Sequence, residues 1–187
     1  MRKYAFSFVV LLLMACGDDY LPKPMGYFRI GLPTKEYAPL ENDCNFTFKL
    51  NTQAQYNPVK NKDCWADIYY PKLKATVQLT YYSFNDKKLE TLLQETQRMA
   101  YSHTAIADGM QEKLFVNEEK RVFGLLYTMK GQVATSTQFY MTDSTNNFLR
   151  GVLYFYSSPN PDSLKTVNDF MRGEIIELIE SLEWKNG

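Results

Sequence analysis

Histidine is nearly missing from this chain: His103 stands alone among 187 residues. Imidazole is the usual general base near neutral pH and the commonest metal ligand, so its scarcity removes most acid–base and metal chemistry. Net charge is missing too. The 21 basic and 21 acidic residues balance, which leaves neither a basic field for nucleic acid nor a polyanionic tail. Beyond the first residues no apolar run approaches the roughly 20 positions a membrane-spanning helix needs. There is no G-x-S-x-G elbow, no H-E-x-x-H helix, no phosphate-cradling glycine loop and no Rossmann fingerprint. The adjacent pairs Asp18-Asp19 and Glu118-Glu119 are solvated loop charges rather than an acid/base dyad. Distant carboxylates such as Asp67 and Asp143 are what remains for a retaining glycosidase. The expectation is a protein with no catalytic residues, no metal and no cofactor.

Cysteine is scarce as well, with three in the chain, and the first marks a processing site. Arg2 and Lys3 precede an apolar run from Ala5 to Met14, about half the length of a spanning helix, which reads as a signal-peptide core. The run closes on Leu13-Met14-Ala15-Cys16, the pattern of a bacterial lipoprotein signal. Residues 1–15 would be removed and Cys16 would carry the lipid. A diacylglycerol plus an amide-linked chain gives at least two acyl anchors, enough for stable attachment to a membrane. Cys44 and Cys64 then remain as a pair in an oxidising compartment, which favours a disulfide. Closing that loop would add about 3 kcal/mol by the chain-entropy argument. A metal site would need both cysteines, His103 and a fourth ligand, with no tight ligand pair anywhere.

What is plentiful is aromatic: 14 Tyr and 12 Phe, as core and strand pairs or as a partner-binding face. Residues 16–43 hold Pro22, Pro24, Pro33 and Pro39 and read as a lipidated tether, followed by one globular domain over 44–187. Within the tether, Tyr27-Phe28-Arg29-Ile30 is too apolar for a solvated linker; it lies as an edge strand on its own domain or docks on a partner. Strands are predicted over 46–50, 66–70 and 74–82, the last with a clear period of two. Residues 86–103 turn to helical spacing, with Leu89, Leu92, Leu93, Thr96, Met99 and His103 on one face. A strand over 113–116 leads into a meander of three, at 122–130, 133–142 and 148–156. The outer two of these are apolar on both faces, as in a sheet covered on both sides. Asn160-Pro161 is an N-cap with proline at the first helical position, opening a last helix whose stripe runs from Leu164 to Leu182. The fold class expected is α+β: an antiparallel sheet covered by two main helices, an α/β/α sandwich.

Arg150 lies in a predicted strand whose same-face neighbours, Phe148, Val152 and Tyr154, are large and apolar. An unpaired buried guanidinium is prohibitive. Either it is paired, with Asp143 as the nearest carboxylate and Asp67 as the alternative, or Arg150, Asp143 and Ser144 form a partner site at the rim of a recess.

Five segments, in order and spacing, carry a resemblance. They are Pro22-Lys23-Pro24-Met25-Gly26-Tyr27-Phe28-Arg29-Ile30, Cys64-Trp65-Ala66-Asp67-Ile68-Tyr69-Tyr70-Pro71, Gln138-Phe139-Tyr140-Met141-Thr142-Asp143-Ser144, Phe148-Leu149-Arg150-Gly151-Val152-Leu153-Tyr154-Phe155 and Leu182-Glu183-Trp184-Lys185. Together they resemble the gliding motility lipoprotein family GldD of Bacteroidota across nearly the whole mature chain; Met25 and Asn45 depart from its pattern. The resemblance implies an accessory of gliding and of the linked type IX secretion route, set in the cell envelope facing the periplasm among proteins of that machinery. It implies no catalytic residues. The order of elements is also similar to the PsbP/Mog1-like sandwich. The competing reading is a lipoprotein whose aromatic cleft takes a lipid or a glycan.

Overall fold

The computed structural model describes residues 31–84, 86–102, 107–131, 135–156 and 161–185. Its centre is a seven-stranded antiparallel sheet in the order β4-β5-β6-β10-β9-β8-β7. These strands are β4 (Gln55–Pro58), β5 (Ala66–Tyr70), β6 (Ala75–Ser83), β7 (Gly109–Asn117), β8 (Val122–Lys130), β9 (Thr137–Thr142) and β10 (Asn147–Phe155). Helix α1 (Asp86–Ser102) joins β6 to β7, and α2 (Pro161–Glu180) follows β10. The described residues thus form a mixed α/β fold with two α-helices and one large antiparallel sheet.

Alternation along the strands decides which side chains meet. Ala75, Val77, Leu79 and Tyr81 of β6 are buried on the face that also carries Ile68, Phe139, Met141, Leu149 and Leu153. Val167, Phe170, Met171, Ile175, Leu178 and Ile179 of α2 belong to the same core. Their i, i+3, i+4 spacing keeps one stripe of the helix on the sheet, and each fully buried aliphatic side chain contributes about 1.5–3 kcal/mol. At the centre of this face Gly151 pairs with Phe139 on one side and Leu79 on the other. A Cβ at 151 would collide with the Phe139 ring, so glycine leaves the space the ring occupies.

The opposite face carries a smaller cluster of Ala100 from α1 with Tyr127 and Met129 from β8. In α1, Thr96 and Ala100 are buried, Leu89, Leu92 and Leu93 are half-buried, and Met99 is exposed. The apolar side expected through Met99 is therefore rotated toward Ala100. A small residue lets the helix sit close to the Tyr127 ring, whereas Met99 lies at its flank. Coverage on this face is uneven as a result: among the described residues, α1 closes the β8 side and leaves the β5–β6 side open.

Two peripheral pairs close the ends. β1 (Tyr37–Pro39) pairs with β3 (Lys49–Asn51), and β2 (Phe46–Thr47) pairs with β11 (Glu183–Trp184). Pro33 and Leu40 are buried, and the Thr34 carbonyl accepts from Asn51 Nδ2 at 2.9 Å. Packing therefore reaches back into 33–43, which the proline content marks as tether. Proline is compatible here because β1 is a peripheral strand with one partner.

Some boundaries move. Strand β7 runs nine residues where apolar pattern alone gives 113–116, because an edge strand needs no continuous hydrophobic run. In β9 the described strand is 137–142, and residues 132–134 at its predicted start lie outside the described residues. Among the described residues, no helix is long and apolar enough to cross a membrane.

Candidate functional site

The loop between β9 and β10 is built around Asp143. Its buried carboxylate accepts from the backbone N–H groups of Thr145, Asn146 and Asn147 at 2.9, 2.8 and 2.8 Å, and from Asn147 Nδ2 at 2.7 Å. Burial on its own would raise the Asp143 carboxyl. The donors of Asn147, Thr145 and Asn146 outweigh it and hold the group below the ordinary carboxylate value. Asn147 passes the network on by accepting from the Tyr81 hydroxyl at 2.5 Å. Arg121 Nη2 clasps the outside, donating to the Asp143 carbonyl and to Thr145 Oγ1 at 3.1 and 3.2 Å. Ser144 is exposed, with a positive φ of 66° and its N–H bonded to Thr142 Oγ1.

Arg150 does not join this loop, so of the alternatives open in the sequence neither the ion pair with Asp143 nor that with Asp67 forms. The turn's own N–H groups consume the carboxylate, and the β10 register sets Arg150 between Thr80 of β6 and Tyr140 of β9. There its Nε donates to Thr80 Oγ1 at 3.2 Å and its Nη1 contacts the Met99 thioether at 3.1 Å. No carboxylate pairs with it among the described residues. It avoids the cost of burial by standing half-exposed at the flank of α1, where water reaches the guanidinium.

Nor do Asp67 and Asp143 form a dyad. Three strand spacings and five residues of register separate them, about 20 Å by strand geometry, well beyond the roughly 5–9.5 Å of glycosidase carboxylates.

The two later cysteines are joined: Cys44 and Cys64 form a disulfide with a Cα–Cα distance of 5.7 Å. Beside it, Trp65 donates Nε1–H to the Tyr81 carbonyl at 3.0 Å and sets its ring edge-on to Tyr82.

A second buried carboxylate escaped the sequence reading. Glu174 of α2 is 4 % exposed and accepts from the Tyr37 hydroxyl at 2.8 Å and the Tyr70 hydroxyl at 3.2 Å. Burial first, then the Glu174 hydrogen bond and charge, push the Tyr37 hydroxyl up; burial, then the Glu174 charge, does the same to Tyr70. The helical stripe around Glu174 is legible in sequence, but its tyrosine partners lie over 100 residues away.

On the open half of the sheet, Asn57, Asp67, Tyr69, Thr76 and Tyr156 line a recess of about 370 Å³. Cross-strand pairs Asn57↔Asp67 and Tyr69↔Thr76 make its floor. The Tyr69 and Tyr156 rings meet edge-to-face at 6.1 Å. The Thr76 hydroxyl reaches the Tyr156 hydroxyl at 3.5 Å, and Tyr156 is 71 % exposed. Alternation of Tyr154 and Tyr156 was the available signal, but only the register brings β4, β5, β6 and the end of β10 together. Among the described residues no group of three metal-ligating side chains occurs. Cys16, Tyr27, Phe28, Arg29 and His103 lie outside the described residues.

The family model described as "Gliding motility lipoprotein GldD" matches residues 17–184. No curated protein matches the chain.

Proposed function

The chain belongs to the gliding motility lipoprotein family GldD, and on that premise we propose that it is a non-enzymatic accessory of gliding and of type IX protein secretion, held in the cell envelope by lipid on Cys16 and facing the periplasm. The observation that carries the reading is the family match over 17–184, which starts at the residue after the proposed lipidated cysteine. The commitment of the two carboxylates buried among the described residues supports a non-enzymatic role. Asp143 is saturated by its own turn and Glu174 by two tyrosines, so neither is poised for proton transfer to a substrate.

In this reading residues 1–15 are a signal peptide, Cys16 is the anchor, and the domain begins near Pro33 rather than at Cys44. The helices α1 and α2 lie on opposite faces of the sheet as an α/β/α sandwich similar to the PsbP/Mog1-like fold. Asp143 and Ser144 are structural, and half-exposed Arg150, together with Tyr27-Phe28-Arg29, contacts partners of the motility and secretion machinery.

The test is a clean deletion in the source bacterium, complemented by the wild-type gene, with colony spreading and secreted-protein profile read together. Joint loss and joint rescue are expected. Normal secretion in a non-gliding deletion strain would remove the secretion half of the proposal.

A further inference from the structure

The recess on the open face points to a ligand of its own. We infer that Asn57, Asp67, Tyr69, Thr76 and Tyr156 form a binding site for a neutral saccharide. The site stands apart from the motility reading, because it rests on the recess alone.

Chemistry selects the ligand class. The volume of about 370 Å³ falls at the small end of the roughly 300–1,000 Å³ of small-molecule sites. Its walls join two tyrosine rings to a carboxylate, a carboxamide and a hydroxyl. A pyranose has the matching character: apolar C–H faces that lie on aromatic rings, and a rim of hydroxyls that both donate and accept. The Asp67 carboxylate has no hydrogen bond or ion pair among the described residues, so its acceptor sites are open to sugar hydroxyls. Asn57 supplies donors as well as an acceptor, and Thr76 sits buried at the floor.

The same residues argue against other ligands. An acyl chain in the recess would strip water from Asp67 without replacing its hydrogen bonds. None of the five lining residues is cationic, so among the described lining residues no charge offsets the repulsion a uronate or a phosphate would meet at Asp67. The floor is formed by paired strands, which hold the polar groups in place before any ligand arrives. The mouth is shallow and Tyr156 stands mostly in solvent, so a millimolar Kd is expected.

The test uses saturation-transfer NMR on the full-length, detergent-solubilised protein. N-acetylated chitotriose, cellotriose and maltotriose serve as neutral probes and trigalacturonate as an anionic one. At least one neutral trisaccharide should receive saturation at its ring C–H protons. Tyr156→Ala should weaken it by about tenfold, the scale of one aromatic contact, and Asp67→Asn should weaken it as well. Tyr156 is exposed, so the Tyr156→Ala protein should melt like wild type, and Tyr156→Phe should retain binding. No saturation of any neutral probe would overturn the inference. So would binding unchanged by both Tyr156→Ala and Asp67→Asn, or preference for trigalacturonate. Each of these can occur while the deletion strain behaves as a motility mutant, which keeps the two readings separable.

Discussion

The Tyr37 hydroxyl donates to Glu174 Oε1 at 2.8 Å across 137 residues of sequence, tying strand β1 to the helix that packs on the core. Tyr70 holds the other carboxylate oxygen. Removing one donor leaves a buried carboxylate half-satisfied, so Tyr70→Phe should cost about 1–3 kcal/mol and the less buried Tyr37→Phe about 1 kcal/mol, by urea denaturation. The pH dependence has a definite sign. Both folded tyrosines have pKa values raised above the ordinary value, so their contribution is whole below about pH 10, where the unfolded tyrosine titrates. As pH climbs past that value the unfolded chain gives up protons that the folded chain keeps, and stability falls. Tyr70→Phe should flatten that alkaline loss; an unchanged slope would remove the cluster as its source.

Asp143 and Arg150 should behave as strangers. Asp143→Ala strips the acceptor from three backbone N–H groups and one amide and should cost about 2–4 kcal/mol. Arg150→Ala removes no partner of a carboxylate and should cost no more than about 1 kcal/mol, against the 3–5 kcal/mol that breaking a buried pair would bring. Near-additive melts in the double mutant would agree with this geometry. Because the Asp143 pKa is lowered, its contribution is present above the unfolded value near 4 and is lost as pH falls through the folded one. Asp143→Asn should remove that acid-side loss.

The gap between the expected pair and the observed one shows which physics the sequence carries. Period-two burial along β6 and the i, i+3, i+4 stripe of α2 are local, and both were legible. So was the Cys44–Cys64 pairing, by elimination and compartment. Contacts set by register between distant strands were not: the recess needs four strands to be in order before its five residues meet. Met99 was misplaced because a hydrophobic side chain outranks alanine in any apolar stripe, yet close approach to Tyr127 favours the small Ala100. The β1–β3 pair was hidden by proline, which suppresses strand propensity without forbidding a peripheral strand.

Two glycines should respond in opposite directions. Gly151→Ala drives a methyl into the Phe139 ring and should destabilise by about 1–3 kcal/mol, the usual cost of overpacking. Gly173 lies within α2 with nothing within 4 Å of an added Cβ. Gly173→Ala should therefore stabilise the protein by up to about 1 kcal/mol through helix propensity and a less free unfolded chain. Paired thermal melts decide both.

Mass mapping of unreduced, alkylated protein should recover a peptide joining Cys44 to Cys64. Reduction should lower stability by about 3 kcal/mol for a loop of this length. Two alkylated thiols in protein taken directly from the envelope would contradict the pairing.

The measurement closest to the central proposal is a chromosomal Cys16→Ser exchange, scored for protein mass, detergent-phase partitioning and colony spreading in the same strain. The expected result is a protein without the acyl mass, left as unprocessed precursor or released from the lipid anchor, and a colony that no longer spreads. A Cys16→Ser protein with the wild-type mass and detergent-phase partitioning that still supports spreading would contradict the lipid-anchored motility role outright.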